Sequence, residues 1–187
     1  PVFLGVTFDR MLTFGPQTHK VASKVVRGSR LLGALSGREW GWRGDHLRKI
    51  FHAVLSSVLH YGSAGWQPWL SDSAVSMLDR AQNKCLRLIT GQHATTPTEA
   101  LRCEAGVPAV RTSLRKRAAL ALEKSLRLQP TNPRRALLLS PIAHRTKRRS
   151  SLREVARDLV SSIGLEAEDR LDFPPDTTAP WWWGNTG

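Results

Sequence analysis

The chain has 187 residues, 41% hydrophobic and 23% charged, enough for one folded domain with a core and too apolar for a wholly disordered polymer. Its formal net charge of +13 and pI near 11.1 favour polyanions through counterion release, which makes nucleic acid the natural partner. No apolar run approaches the roughly 20 residues that span a bilayer and no signal peptide opens the chain, so a nuclear or cytoplasmic protein is expected, neither membrane-bound nor secreted.

The chain opens on Pro1, and its first Met is Met11, so it is expected to be a piece of a longer polypeptide. Residues 1–15 read as a β-hairpin, with Val2-Phe3-Leu4-Gly5-Val6-Thr7-Phe8 as one strand, Met11-Leu12-Thr13-Phe14 as the other, and Gly15-Pro16 closing it. From Thr18 the apolar spacing becomes helical, through Val21, Val25, Gly28, Leu32 and Leu35 to a stop near Gly37. Asp45 is the expected N-cap of a second helix with the stripe Leu47, Ile50, Phe51, Val54, Val58 and Tyr61, ended by Gly62. Ser71 should cap a third, carrying Ala74, Val75, Leu78, Ala81, Cys85 and Ile89 up to Gly91.

Thr96-Pro97-Thr98-Glu99 combines a capping box with proline at the first helical position and opens a short helix that Gly106 and Pro108 close. A fifth helix, roughly 110–128, has the stripe Leu114, Ala118, Ala121, Ser125 and Leu128, with Lys116, Arg117, Lys124 and Arg127 beside it. Residues 16–128 thus form a helical bundle. Residues 129–150, with Pro130, Pro133 and Pro141 among Arg and Lys, read as a loose basic linker. An amphipathic helix over 151–164 carries Leu152, Val155, Ala156, Leu159 and Ile163; the acidic Pro- and Trp-rich tail, 165–187, is expected to be disordered. The fold class is therefore mainly α, with an N-terminal hairpin and an extended tail.

Charge is unevenly spread. Residues 1–94 carry 12 Lys and Arg against 5 Asp and Glu, residues 95–153 carry 14 against 3, and residues 154–187 carry 2 against 7. The basic surface is therefore expected on the middle helices and linker, with Arg10, Lys20, Arg80 and Arg87 outside it.

Candidates for chemistry are few. Nucleotidyl transfer needs carboxylates that hold two Mg²⁺ ions about 4 Å apart, and the chain has no Asp-Asp pair. Asp9 reads as a turn residue, and Glu166, Glu168 and Asp169 as a solvated face. Cys85, Cys103 and the six histidines show no zinc-ligand spacing and read as reduced thiols and isolated side chains. Gly62-Ser63-Ala64-Gly65 lacks the nucleophile-elbow pattern, and phosphate-binding glycine loops are absent. Trp66 and Trp69, flanking Pro68, read as packing residues rather than base-stacking platforms.

Several stretches, in order, resemble the reverse transcriptases of non-LTR, LINE-like retrotransposons. Phe3-Leu4-Gly5-Val6-Thr7-Phe8-Asp9 followed by Leu12-Thr13-Phe14 is similar to that family's primer-grip hairpin. Val58-Leu59-His60-Tyr61-Gly62-Ser63-Ala64-Gly65-Trp66 is similar to its thumb signature. Residues 78–91, then Thr96-Pro97-Thr98-Glu99-Ala100-Leu101 and Glu104-Ala105-Gly106-Val107-Pro108, follow its downstream pattern; the likeness covers about residues 2–128. The resemblance implies an RNA-directed DNA polymerase whose fingers and catalytic palm, with its Mg²⁺ ions, lie upstream, so that no cofactor is expected in this piece.

It further implies that Phe3, Leu4 and Gly5 hold the primer end. Arg111, Arg115, Lys116, Arg117, Lys124 and Arg127 would then line the thumb along a duplex of RNA template and DNA primer. The first three residues equally fit an ordinary core strand, and the six basic ones a solvated helix face. A stand-alone basic helical RNA- or DNA-binding module is the competing reading.

Overall fold

A computed structural model describes residues 1–37, 41–139, 154, 158 and 160–162. The fold is mainly helical, with an N-terminal antiparallel hairpin. Strands β1 (Val2–Phe3) and β2 (Val6–Thr7) pair Val2 with Thr7 and Phe3 with Val6. The hairpin thus closes within the first apolar run, over Leu4 and Gly5. Residues 11–14 are not a strand: Leu12 and Phe14 adopt left-handed φ of 50° and 54°, which breaks extended pairing.

Helix α1 (Gly15–Leu35) starts three residues before the expected Thr18, with Pro16 in its first turn, where a missing N–H costs nothing. It buries Val21, Val25 and Leu32. Gly28 lies at its crossing with the following helix, where a Cβ would overlap Leu55 Cδ2.

That second helix is continuous but not uniform. Segment α2 (Gly44–Ile50) passes into a π-helical stretch, Phe51–Ser56, and then α3 (Ser57–His60). Its N-cap is Arg43 rather than Asp45, which sits in the first turn and pairs with Arg48 at 3.0 Å. The buried stripe is Leu47, Phe51, Leu55 and Leu59; Val54 and Tyr61 are exposed and Val58 is half-buried. A π turn accommodates one extra residue, so the inward face advances from Val54 to Leu55 and from Val58 to Leu59.

After α4 (Ser63–Trp66) and a 3₁₀ turn (Gln67–Trp69), helix α5 (Asp72–Thr90) follows its expected pattern closely. The Ser71 hydroxyl accepts from Ala74 N at 3.3 Å, Gly91 ends the helix at φ 69°, and all six stripe residues are buried. Trp66 is also buried, donating Nε1–H to Tyr61 O at 3.1 Å, and Trp69 packs against the core.

Helix α6 (Thr98–Ala105) has Pro97 at its N-cap and no side-chain cap; Glu99 turns to Arg102 at 2.7 Å instead of closing a box. Arg102 also reaches Asp79 at 3.0 Å, and Asp79 accepts the Val110 amide at 3.1 Å. A carboxylate on α5 therefore caps the first turn of α7 (Val110–Leu126), satisfying an amide that helix geometry leaves orphaned. Gln82 donates to Pro108 O at 2.9 Å and fixes the same junction.

Residues 129–150 are not loose throughout. Helix α8 (Pro133–Leu139) packs on α7; Asn132 Oδ1 accepts from Arg134 N at 2.9 Å, and Arg135 donates to Leu128 O at 2.7 Å. Of the expected last helix, Glu154, Asp158 and residues 160–162 are helical and Val160 is buried, whereas Leu152, Val155, Ala156, Leu159 and Ile163 lie outside the described residues, as does the tail from 165 onward. Among the described residues no helix is long and apolar enough to cross a membrane.

Candidate nucleic-acid interface

The hairpin tip is a two-residue turn with Leu4 at φ 46° and Gly5 at φ 80°. Both positions lie in the left-handed region that two-residue hairpins use, which suits glycine and is costly for leucine. The turn is held from behind by Tyr61, whose hydroxyl donates to Leu4 O at 3.0 Å. A Cβ on Gly5 would lie 3.6 Å from the Tyr61 ring, and one on Gly62 would lie 3.2 Å from Val6 Cγ2. Phe3 and Leu4 consequently point into solvent, at 66% and 75% exposure, and are not part of a core strand.

The strands are tied down as well. Thr7 N donates to Gln17 Oε1 at 2.8 Å, and Phe8 meets Phe14 edge to face at 5.4 Å. Asp9 accepts from Thr13 N, Thr13 Oγ1 and Phe14 N at 2.9, 2.7 and 2.7 Å. The Thr13 hydroxyl and these amides hold its carboxyl well below the ordinary 3.8, at about 2. Asp9 is therefore a turn organiser, as its sequence context indicated.

A groove of about 410 Å³ runs between the tip, α1 and α3; Leu4, Gly5, Lys20, Lys24, Val58 and Tyr61 line it. Lys20 lies inside the candidate surface and not outside it, with Nζ donating to Thr7 Oγ1 at 3.5 Å. Lys20, Lys24 and Tyr61 were not among the sequence-derived site residues. Their signal was two lysines at i, i+4 beside the Val21/Val25 stripe, legible only once the hairpin is known to pack there.

The five basic residues expected on α7, with Arg127 at its C-cap, do not form one patch. Arg117 and Lys124, with Leu120 between them, line a second groove of about 390 Å³ against His60 and Gly62–Gly65. The Tyr61–Gly62 turn is the common wall of this groove and the first. Lys116 is exposed and Arg127 half-buried, with its Nε enclosed. Arg111 and Arg115 lie on the other flank beside Gln67 and Pro68, where Arg111 is paired with Asp72.

His60 closes the second groove. Because a carbonyl only accepts, the 2.7 Å contact to Ser56 O places the proton on Nδ1. Burial first, and then the Arg117 guanidinium, push the imidazole below its ordinary range, so it adds no positive charge near neutrality.

Among the described residues no group of three or more His, Cys, Asp or Glu could hold a metal ion. Asp9 is committed to Thr13 and Phe14, and Cys85 is buried with its thiol pushed up to about 12. The described residues do not bring together the carboxylates that a two-Mg²⁺ centre needs. What they offer is two basic grooves on either side of the Tyr61–Gly62 turn, the first of them beside the exposed apolar tip, suited to phosphates and sugars. No protein-family model, curated protein or solved structure matches the chain.

Proposed function

We propose that this chain is the primer-grip and thumb portion of a reverse transcriptase from a non-LTR, LINE-like retrotransposon. It would hold an RNA template–DNA primer duplex while the catalytic aspartates and their Mg²⁺ sit elsewhere in the parent polypeptide. One observation supports this reading above others. The two short motifs that carry the resemblance, Phe3-Leu4-Gly5 and Tyr61-Gly62, meet in space through the Tyr61 hydroxyl and Leu4 O, 57 residues apart in sequence.

On this reading the exposed Phe3 and Leu4 bear on the primer end, and the Gly5 turn brings backbone close to it. Lys20 and Lys24 on one side, Arg117 and Lys124 on the other, contact phosphates. Such contacts position a duplex without reading its sequence.

A salt titration of hybrid-duplex binding tests the interface. If four to six phosphates are neutralised, log K against log salt should slope at roughly −4 to −5. Replacing Lys20, Lys24, Arg117 and Lys124 with Gln, which keeps helix propensity, should remove up to about four contacts' worth of that slope. The charge-matched reference is Gln at Arg10, Arg43, Lys49 and Lys84, all exposed and outside both grooves. Equal losses in the two quadruple variants would show a diffuse charge cloud and overturn the interface. Template-dependent primer extension by the isolated chain would overturn the assignment of catalysis to another part of the polypeptide.

A further inference from the structure

A third groove, of about 490 Å³, lies between α1 and α5. Val26 and Met77 form an apolar floor between Ala22 and Ala81, and Arg27, Arg30 and Arg80 stand around it. Val26 and Arg30 project from a different side of α1 than Lys20 and Lys24, while Arg27, seven residues after Lys20, stands at the edge between this groove and the hairpin groove.

Among the described residues no Asp or Glu lines the groove to neutralise its charge. The ion pairs among the described residues join Arg48 to Asp45, Arg102 to Asp79 and Glu99, and Arg111 to Asp72, all elsewhere. Arg80 uses one N–H on Ser76 O at 3.3 Å and keeps the rest of its guanidinium for another partner. Three like charges around an apolar floor suit a segment that brings carboxylates and apolar side chains together.

The sequence holds one such segment. Residues 154–187 are its acidic stretch, 7 Asp and Glu against 2 Arg in a chain of net charge +13. Within it, Glu166, Glu168, Asp169, Asp172 and Asp176 alternate with Leu165, Leu171 and Phe173. Glu166 to Asp176 lie 4 to 14 residues beyond Ser162, and at roughly 3.3 Å per residue they reach from about 13 to about 46 Å from it.

We propose that the acidic segment beginning at Leu165 docks in the α1/α5 groove, its carboxylates on Arg27, Arg30 and Arg80 and an apolar side chain over Val26 and Met77. Carboxylate matches the guanidinium fork in a bidentate pair. Tethering supplies the segment at an effective concentration on the order of millimolar, which a free polyanion would have to exceed. A nucleic acid could use the same arginines, and the test separates the two.

The experiment uses the full chain with a spin label at Thr177→Cys and Cys103→Ser; Cys85 is buried and stays unlabelled. At low salt, amide signals over Val26–Arg30 and Met77–Ala81 should be lost to paramagnetic broadening. They should return when Arg27, Arg30 and Arg80 are changed together to Gln, or when Glu166, Glu168, Asp169, Asp172 and Asp176 are neutralised to Gln and Asn. They should also recover in 1 M salt, where the screening length is about 3 Å. Circular dichroism confirms that the variants fold.

Broadening that persists in the arginine variant, or that falls on the hairpin and α7 grooves, overturns the proposal. So does an α1/α5 groove with no broadening whose arginine variant instead loses affinity for a single-stranded oligonucleotide, since the groove is then a nucleic-acid site.

Discussion

Between Val2 and Leu4 the chain exposes its apolar side chains, whereas α1 and α5 enclose Val25, Leu32, Leu78 and Leu86 completely. The hairpin is kept in place by polar contacts, Tyr61 on Leu4, Gln17 on Thr7, and Asp9 on Thr13 and Phe14, together with the partly buried Val6 and Phe8. The helical body is kept by close packing, down to a glycine where α1 meets Leu55. A surface that must meet a ligand cannot also be the core. Here the two tasks are divided, with stability in the helices and an exposed, strained tip raised on them.

The division predicts unequal costs of truncation. Leu78→Ala, in the centre of α5, should cost about 2–5 kcal/mol of unfolding free energy, through lost burial and a cavity. Phe3→Ala should cost no more than about 0.5 kcal/mol, as for an ordinary surface position. Urea denaturation of both variants measures the contrast, and similar losses would mean that the hairpin belongs to the core. The next largest effect is expected at Gly28. Gly28→Ala forces Leu55 to shift and should cost about 1–3 kcal/mol, part of it recovered in a Gly28→Ala, Leu55→Val double variant because the added methyl gains room. Additive losses would place the strain elsewhere.

At the tip, stability and binding should move in opposite directions. Leu4→Asn keeps the left-handed turn but replaces the residue least suited to it, giving Asn-Gly, the preferred pair for such hairpins. It should stabilise the hairpin by about 0.5–1 kcal/mol. Hydrogen exchange at Val6 and Phe8 should therefore slow while hybrid-duplex affinity falls, because the exposed leucine is gone. A variant that improved both would show that Leu4 is a turn residue with no part in binding.

Much of this architecture was legible in the sequence where its determinants are local. Ser71 and Gly91 bound α5 as expected, because a cap needs only the residues it caps. The buried face of the helix from Gly44 to His60 departs from the one its spacing suggests after Phe51, because a π turn shifts the buried stripe by one residue without altering the apolar composition. The site shows the same limit. Phe3-Leu4-Gly5 and Tyr61-Gly62 could each be picked out, but their meeting depends on α1 passing between them in sequence and carrying Lys20 and Lys24 to the same groove. On α7, helical spacing grouped the cations but did not show that Asp72 holds Arg111 on the opposite flank from Lys124.

The smallest expected effect is confined to the junction of hairpin and body, and depends on pH. The Asp9 carboxyl titrates near 2 in the folded chain and near 3.8 when its partners are lost. A depressed folded value means that its contribution is complete above about 3.8 and is lost as pH falls towards 2, because protonation removes the acceptor for Thr13 and Phe14. The Thr13 and Phe14 amide proton resonances should therefore shift with a midpoint near 2, while those of α5 stay unmoved. Asp9→Asn should abolish the transition and flatten that part of the acid limb of stability. A midpoint near 4 would mean that the carboxylate is not engaged in solution, and that the hairpin is held without Asp9, by Tyr61, Gln17 and the packing of Phe8 on Phe14.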